Sequence, residues 1–250
     1  MKNAVLVFDV ETIADLTPDS HDAVAALAKG REMTPEAYGG LCPPLARVVC
    51  LAWFDVARRT LGAVFDGTLG GDPAPPSISV AAGGAPATPA SCDLVRCEGE
   101  ADLLRRFGRI VEQHLGQANA QLVTYNGRGF DLPVLIHRSV KHGVTEGRDL
   151  ISKAVSENRY RPVMHIDLLD AVTFFGAAPR FPMAAYAIGY GWPSPKQDMD
   201  GSQVWGAVQA GRILDVVRYC AGDVLATAHV HRCLNSRAAA AAAAGARSGG

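Results

Sequence analysis

A chain of 250 residues, 48% hydrophobic and 20% charged, can bury a sizeable core and has an ordinary globular composition, which excludes a disordered or fibrous protein. Its net charge of −1 excludes the uniformly basic surface of a nonspecific polyanion binder and leaves only a local basic groove open. No run reaches the roughly 18 apolar residues of a membrane span, and no charged-then-apolar leader opens the sequence, so a cytoplasmic location without a membrane partner is expected.

The first strand is expected over residues 4–11. Within it "VLVFDVET" ends an apolar run on Asp9 and Glu11. Side chains alternate along a strand, so these two acids share one face, where like charges disfavour each other unless something positive lies between them. Residues 19–38 read as an insertion with a short helix near 21–29. "RVVCLAWFDV" (47–56) and "RTLGAVFDG" (59–67) read as two strands joined by a tight turn. The Gly-, Pro- and Ala-rich stretch 70–91 reads as a long loop inserted within the domain.

Leu103, Leu104, Phe107, Ile110, Val111 and Leu115 fall at helical spacing, which predicts a helix over 99–115. "AQLVTYNG" (120–127) predicts a strand entering a turn. "FDLPVLIHRSVKHG" (130–143) then predicts a helix that Asp131 caps and Gly143 ends. Two further short helices are expected at 165–176 and 181–191, and a long one at about 212–235. The Ala-rich residues 237–250 are expected to be a disordered or frayed tail to one domain spanning 1–236. Strand and helix alternate, which predicts an α/β fold around one mixed sheet.

Asp131 in "YNGRGFDLP" has helix capping as its plain explanation. Asp223 in "VVRYCAGDV" has none so simple, because an acid in a largely apolar helix costs free energy unless paired or coordinated. Tyr219 lies one turn before it on the same face. The six cysteines (Cys42, Cys50, Cys92, Cys97, Cys220, Cys233) show no CxxC pair and read as buried apolar residues or stray thiols. His165 beside Asp167 reads as a packed or exposed histidine next to a helix cap. His229 and His231 fall on different helix faces, and "GRGF" (127–130) lacks the Lys-Ser/Thr of a phosphate loop. Lys196 and Gln197 are the candidates for contact with a substrate phosphate, against the plain alternative of polar residues in a surface loop.

Asp-x-Glu, Asn-x-x-x-Phe-Asp and Tyr-x-x-x-Asp, in that order, resemble the motifs of the DEDD superfamily of 3′–5′ exonucleases, and the tyrosine resembles its DEDDy branch. "FDVET", "YNGRGFDLPVL", "HIDLLD", "DGSQVW" and "YCAGDVLAT" extend the likeness to the exonucleases related to the proofreading domain of family B DNA polymerases. The resemblance implies a ribonuclease H-like fold, a mixed five-stranded sheet flanked by helices. It implies a metal-dependent 3′–5′ exonuclease acting on nucleic acid 3′ ends, single-stranded DNA first, in a chain without room for a polymerase domain. Two Mg²⁺ or Mn²⁺ ions are implied, since phosphodiester hydrolysis at a two-metal site calls for hard oxygen ligands. By the same resemblance Asp9 bridges both ions, Glu11 and Asp223 complete the nucleophile-side site, and Asp131 holds the other ion, largely through water. Tyr219 orients the attacking water, and Asn126 and Phe130 shape the terminal-nucleotide pocket. A 3′–5′ exoribonuclease and a catalytically silent nucleic-acid-binding module on the same fold are the alternatives. The second has no use for a set of acids facing a polyanion.

Overall fold

In the computed structural model β1 (Val5–Ala14) lies inside a mixed sheet, antiparallel to β2 (Ala46–Asp55) on one side and parallel to β6 (Gln121–Thr124) on the other. The structure describes residues 4–70, 74–81, 90–192 and 199–247, with side chains described to Ser236. β2 turns back into β3 (Thr60–Asp66) through residues 56–59, where the Asp55 carboxylate accepts the Ala57 and Arg58 backbone N–H groups at 3.0 and 2.9 Å. Beyond β3 come β5 (Ala90–Cys97), parallel to it, and β4 (Ser77–Val80), antiparallel on β5. β7 (His165–Asp167) closes the other edge, parallel to β6.

Among the described residues the sheet therefore has seven strands, in the order β4-β5-β3-β2-β1-β6-β7, and not the expected five. Segment 70–91 is not wholly loop: β4 lies within it and buries Ile78 and Val80, while residues 71–73 and 82–89 lie outside the described residues. The expected helix over 165–176 divides into β7 and α6 (Leu168–Val172), because three strand residues are too few to show a period. The early insertion forms two helices, α1 (Pro18–Lys29) and α2 (Pro35–Leu41). Each is capped by a threonine whose hydroxyl accepts a backbone N–H, and each has proline in its first turn.

Alternation along β1 sorts its side chains onto two cores. Leu6, Phe8 and Val10 pack with α3 (Glu100–Leu115), α4 (Asp131–His142) and α5 (Arg148–Ser156), with Phe8 against Phe107 at 5.2 Å between ring centroids. Val5 and Val7 pack on the opposite face with α7 (Met183–Gly189), α8 (Val204–Gln209) and α9 (Ile213–Arg247). The α9 backbone runs to Arg247 through the alanine run, in keeping with alanine's helix propensity.

A buried ion network fixes α4 against its neighbours. Arg138, 1% exposed, donates to Glu100 at 2.6 and 2.7 Å, to Asp15 at 2.6 Å and to the Pro44 carbonyl at 3.2 Å. Glu100 also accepts the Val48 backbone N–H at 2.8 Å and lies 2.7 Å from His142. The network joins α4 to α3, β2 and the chain leaving β1.

Candidate active site

Asp9 and Glu11 stand on the same face of β1 as Val5 and Val7, the face that α9 covers. Just beyond them the register with β2 slips between Glu11 and Thr12, and the Thr12 hydroxyl donates to the Gly40 carbonyl at 2.7 Å, anchoring α2 beside the strand end. From α9, Cys220 points at this pair. Its Sγ is 3.4 Å from the Asp9 carbonyl oxygen and 3.8 Å from Asp9 Oδ2, and donor atoms of Asp9, Glu11 and Cys220 all lie within 4.8 Å of one another. Sequence reasoning missed Cys220 here, although its position three residues before Asp223 puts both on one helix face.

Burial pushes the Glu11 carboxyl well above its ordinary range, and the charges of Asp9, Asp223 and Asp131, with a hydrogen bond shared with Asp9, add to the effect. Asp9 is raised likewise, by burial and then by Asp131 and Asp223. Burial pushes Asp131 up to about 7, against the backbone N–H groups of Val10 and of Asp131 itself. The four acids thus act on one another. Among the described residues no ion pair joins Asp9, Glu11 or Asp131 to a basic side chain.

Asp131 does not cap α4. The cap is Phe130, without a side-chain hydrogen bond, and Asp131 Oδ1 is buried with no partner among the described residues. A buried, unpartnered carboxylate oxygen beside other acids fits a site built to receive a cation. Tyr219 hydrogen-bonds to Asp223, and its hydroxyl is held far above its usual range by burial and by Asp223, Glu11 and Asp9.

The turn that delivers Asp131 is shaped by Asp167. That carboxylate accepts the backbone N–H groups of Asn126 at 2.9 Å, Arg128 at 3.0 Å and Leu169 at 3.0 Å. The last contact is the expected cap of α6; the other two hold the turn, a role the sequence did not show. Asn126 takes φ +64°, and Gly127 has no room for a β-carbon, which would meet Thr124 Oγ1 at 2.1 Å. His165 is fully buried, 2.8 Å from the Thr124 hydroxyl, and burial lowers it to about 3, so it is a neutral packing residue. His229 Nε2 lies 3.0 Å from the Tyr190 carbonyl oxygen, joining α9 to the end of α7.

A cleft of about 690 Å³ lies beside Glu11 and Phe130, lined also by Met33, Leu41, Ser202 and Trp205. Its volume lies in the range of small-molecule sites. Gly201 adjoins Tyr219, since a β-carbon there would stand 3.8 Å from the hydroxyl; this brings "DGSQVW" to the site. Exposed Asn126 is not part of the cleft lining, and Lys196 and Gln197 lie outside the described residues.

The architecture is a mixed α/β sheet of the ribonuclease H-like kind, with acids gathered where β1 meets α4 and α9. The family described as predicted 3′–5′ exonucleases related to the exonuclease domain of PolB matches residues 91–240, and this chain belongs to it. The family B DNA polymerase from the hyperthermophilic archaeon Pyrobaculum calidifontis is similar in fold, with a TM-score of 0.55 over 94% of this chain at 18% identity. This chain spans 25% of that polymerase's length. No curated protein matches. Among the described residues no helix is long and apolar enough to cross a membrane.

Proposed function

We propose that the chain is a metal-dependent 3′–5′ exonuclease that removes nucleotides from DNA ends, single-stranded ends first. The observation that carries this reading is the convergence of Asp9, Glu11, Asp131 and Asp223, with Asp131 Oδ1 buried and unpartnered. Asp9, Glu11 and Asp223 would hold one divalent cation, with Asp9 shared toward a second near Asp131. Bound Mg²⁺ or Mn²⁺ supplies the charge that activates water and stabilises the leaving oxygen. Tyr219 keeps its phenolic proton, because its hydroxyl is held far above the working pH range, and serves as a neutral group that orients the attacking water. Phe130 and the cleft beside Glu11 would receive the terminal nucleoside, with Leu41 and Trp205 excluding water around it.

The test pairs labelled single-stranded DNA and RNA of one sequence with Mg²⁺, Mn²⁺ or EDTA. Stepwise shortening from the 3′ end that needs the cation, and is faster on DNA, is expected. Asp9→Ala is expected to abolish it and to remove the Mn²⁺-induced rise in melting temperature. Preference for RNA would reassign the substrate; binding without cleavage would mean a silent module.

A further inference from the structure

Large apolar side chains rarely cluster in water without a partner. After α6, Phe174 is 72% exposed and Phe181 54%, while Tyr160, from the loop after α5, packs on Phe175 with centroids 4.8 Å apart. Phe174 and Phe175 both adopt positive φ, 51° and 58°, a region bulky L-residues avoid and glycine enters freely. Phe175 gains its contact with Tyr160 in return, whereas Phe174, 72% exposed, is held out against a backbone penalty without ring packing to offset it.

Arginines are interleaved with the rings. Arg159 lies 6.0 Å from the Tyr160 ring centroid and pairs with Asp170. Arg161 and Arg180 are exposed, and the ion pairs among the described residues do not include them. The acids nearby are engaged: Asp170 is shared by Arg128 and Arg159, and Glu157 accepts the backbone N–H groups of Val163, Met164 and His165. The exposed charges interleaved with these rings are therefore Arg161 and Arg180, on a chain of net charge −1.

Its flanks are tied to the turn that delivers Asp131. The Tyr125 hydroxyl donates to the Phe181 carbonyl, and the rings of Tyr125 and Phe181 each lie 6.2 Å from Tyr186. Arg128 lies 3.8 Å from Asp170 and donates to the carbonyls of Val155 at 2.5 Å and Glu157 at 3.3 Å.

We propose that Tyr160, Phe174, Phe175 and Phe181, with Arg161 and Arg180, form a stacking platform for single-stranded nucleic acid 5′ of the nucleotide being removed. The placement relative to the 3′ end rests on the exonuclease reading above. Flat rings accept any base and guanidinium groups hold the phosphates between them, which is the composition of sequence-tolerant single-strand sites.

Fluorescence anisotropy with labelled oligothymidylates of 4 and 16 nucleotides, in EDTA so that no cleavage competes, tests the platform on the full chain. Phe174→Ala with Phe181→Ala is expected to raise Kd for the 16-mer about tenfold and to leave the 4-mer unchanged. Arg161→Glu is expected to lower the salt dependence of 16-mer binding. A 16-mer abasic along its 5′ portion is expected to bind weakly and to be indifferent to loss of the rings. Phe174→Gly guards against misfolding, since it removes the ring and the strain together; it is expected to melt no lower than the parent while binding the 16-mer less well. Unchanged 16-mer affinity in all variants, or an equal loss on both lengths, overturns the platform. Ring-dependent binding without degradation in Mg²⁺ or Mn²⁺ overturns the exonuclease reading and leaves the platform standing; degradation with unaltered 16-mer affinity in the variants does the reverse.

Discussion

Asp9, Glu11, Tyr219, Cys220 and Asp223 meet because one strand and one helix each present a single face to the other. The strand's face was legible in the sequence: alternation places Asp9 and Glu11 together, and the structure shows that face turned to α9. The helix's face was half legible, since Tyr219 and Asp223 share it by spacing, while Cys220 gave no signal separable from an ordinary buried cysteine. Asp131 was expected to cap α4, because an acid at a strand-to-helix junction looks like a cap, and here it is not one. Two outcomes follow at this scale. On the proposed function, Tyr219→Phe is expected to slow single-turnover cleavage by ~10²-fold or less, because an orienting group contributes at the low end of acid–base effects where a metal activates the water. Its Mn²⁺-induced melting shift should match the parent, since the phenol is not a ligand. Asp223→Asn is expected to lose both, and thermal melts with and without Mn²⁺ beside single-turnover rates separate the two roles.

Elements that the sequence hid were those without a period. β7 has three residues, β4 has four inside a Gly/Pro-rich stretch, and β5, which follows it, has Ser91, Asp93 and Arg96 breaking up its apolar residues. Strong periodicity made α3 legible, and a Gly stop made α4 legible. The Arg138 network left no trace in pattern, because an arginine on an amphipathic helix reads as a solvated residue until Glu100 and Asp15 are seen around it. Arg138→Leu leaves Glu100 buried beside apolar neighbours without its main partner, and removing one member of such a pair typically costs ~3–5 kcal/mol. Urea unfolding is expected to show a loss of that size, with the slope unchanged. Replacing residues 72–89 with a short Gly/Ser linker is not expected to be neutral, because it removes β4, where Ile78 and Val80 are buried. At about 1.5–3 kcal/mol for each such side chain, the melting temperature should fall by several degrees, while cleavage of short oligonucleotides at lower temperature survives. An unchanged melting temperature would show that β4 contributes nothing to the sheet.

At the scale of the molecule, the site opposes the fold. Asp9, Glu11 and Asp131 all titrate above the ordinary carboxylate range when folded, Asp131 at about 7, chiefly because burial disfavours their charged forms. Unfolded, the same groups titrate near 4. Between those limits the folded chain holds more protons than the unfolded one, so stability falls as pH rises. The window for Asp131 runs from about 4 to about 7, and Asp9 and Glu11 act in the same sense. Asp15 works the other way: its hydrogen bonds to Lys141 and Arg138 lower its pKa despite burial, so its contribution disappears only as pH falls through the acid range. In EDTA the melting temperature is therefore expected to decline from about pH 5 to about pH 8. On the proposed metal site, bound Mn²⁺ is expected to reverse the slope, because it requires the deprotonated acids and competes with their protons. The Mn²⁺-induced rise should be small at about pH 5 and largest at about pH 8. Asp9→Asn removes one of the mutually repelling charges, so in EDTA it is expected to melt a few degrees higher than the parent at about pH 8, with a flatter pH profile and a blunted Mn²⁺ response. Scanning calorimetry of both chains across that pH range, with EDTA and with Mn²⁺, measures all three quantities. An EDTA profile that is flat, or that rises with pH in the parent and not in Asp9→Asn, would mean that the acids are not held together at the expense of the fold.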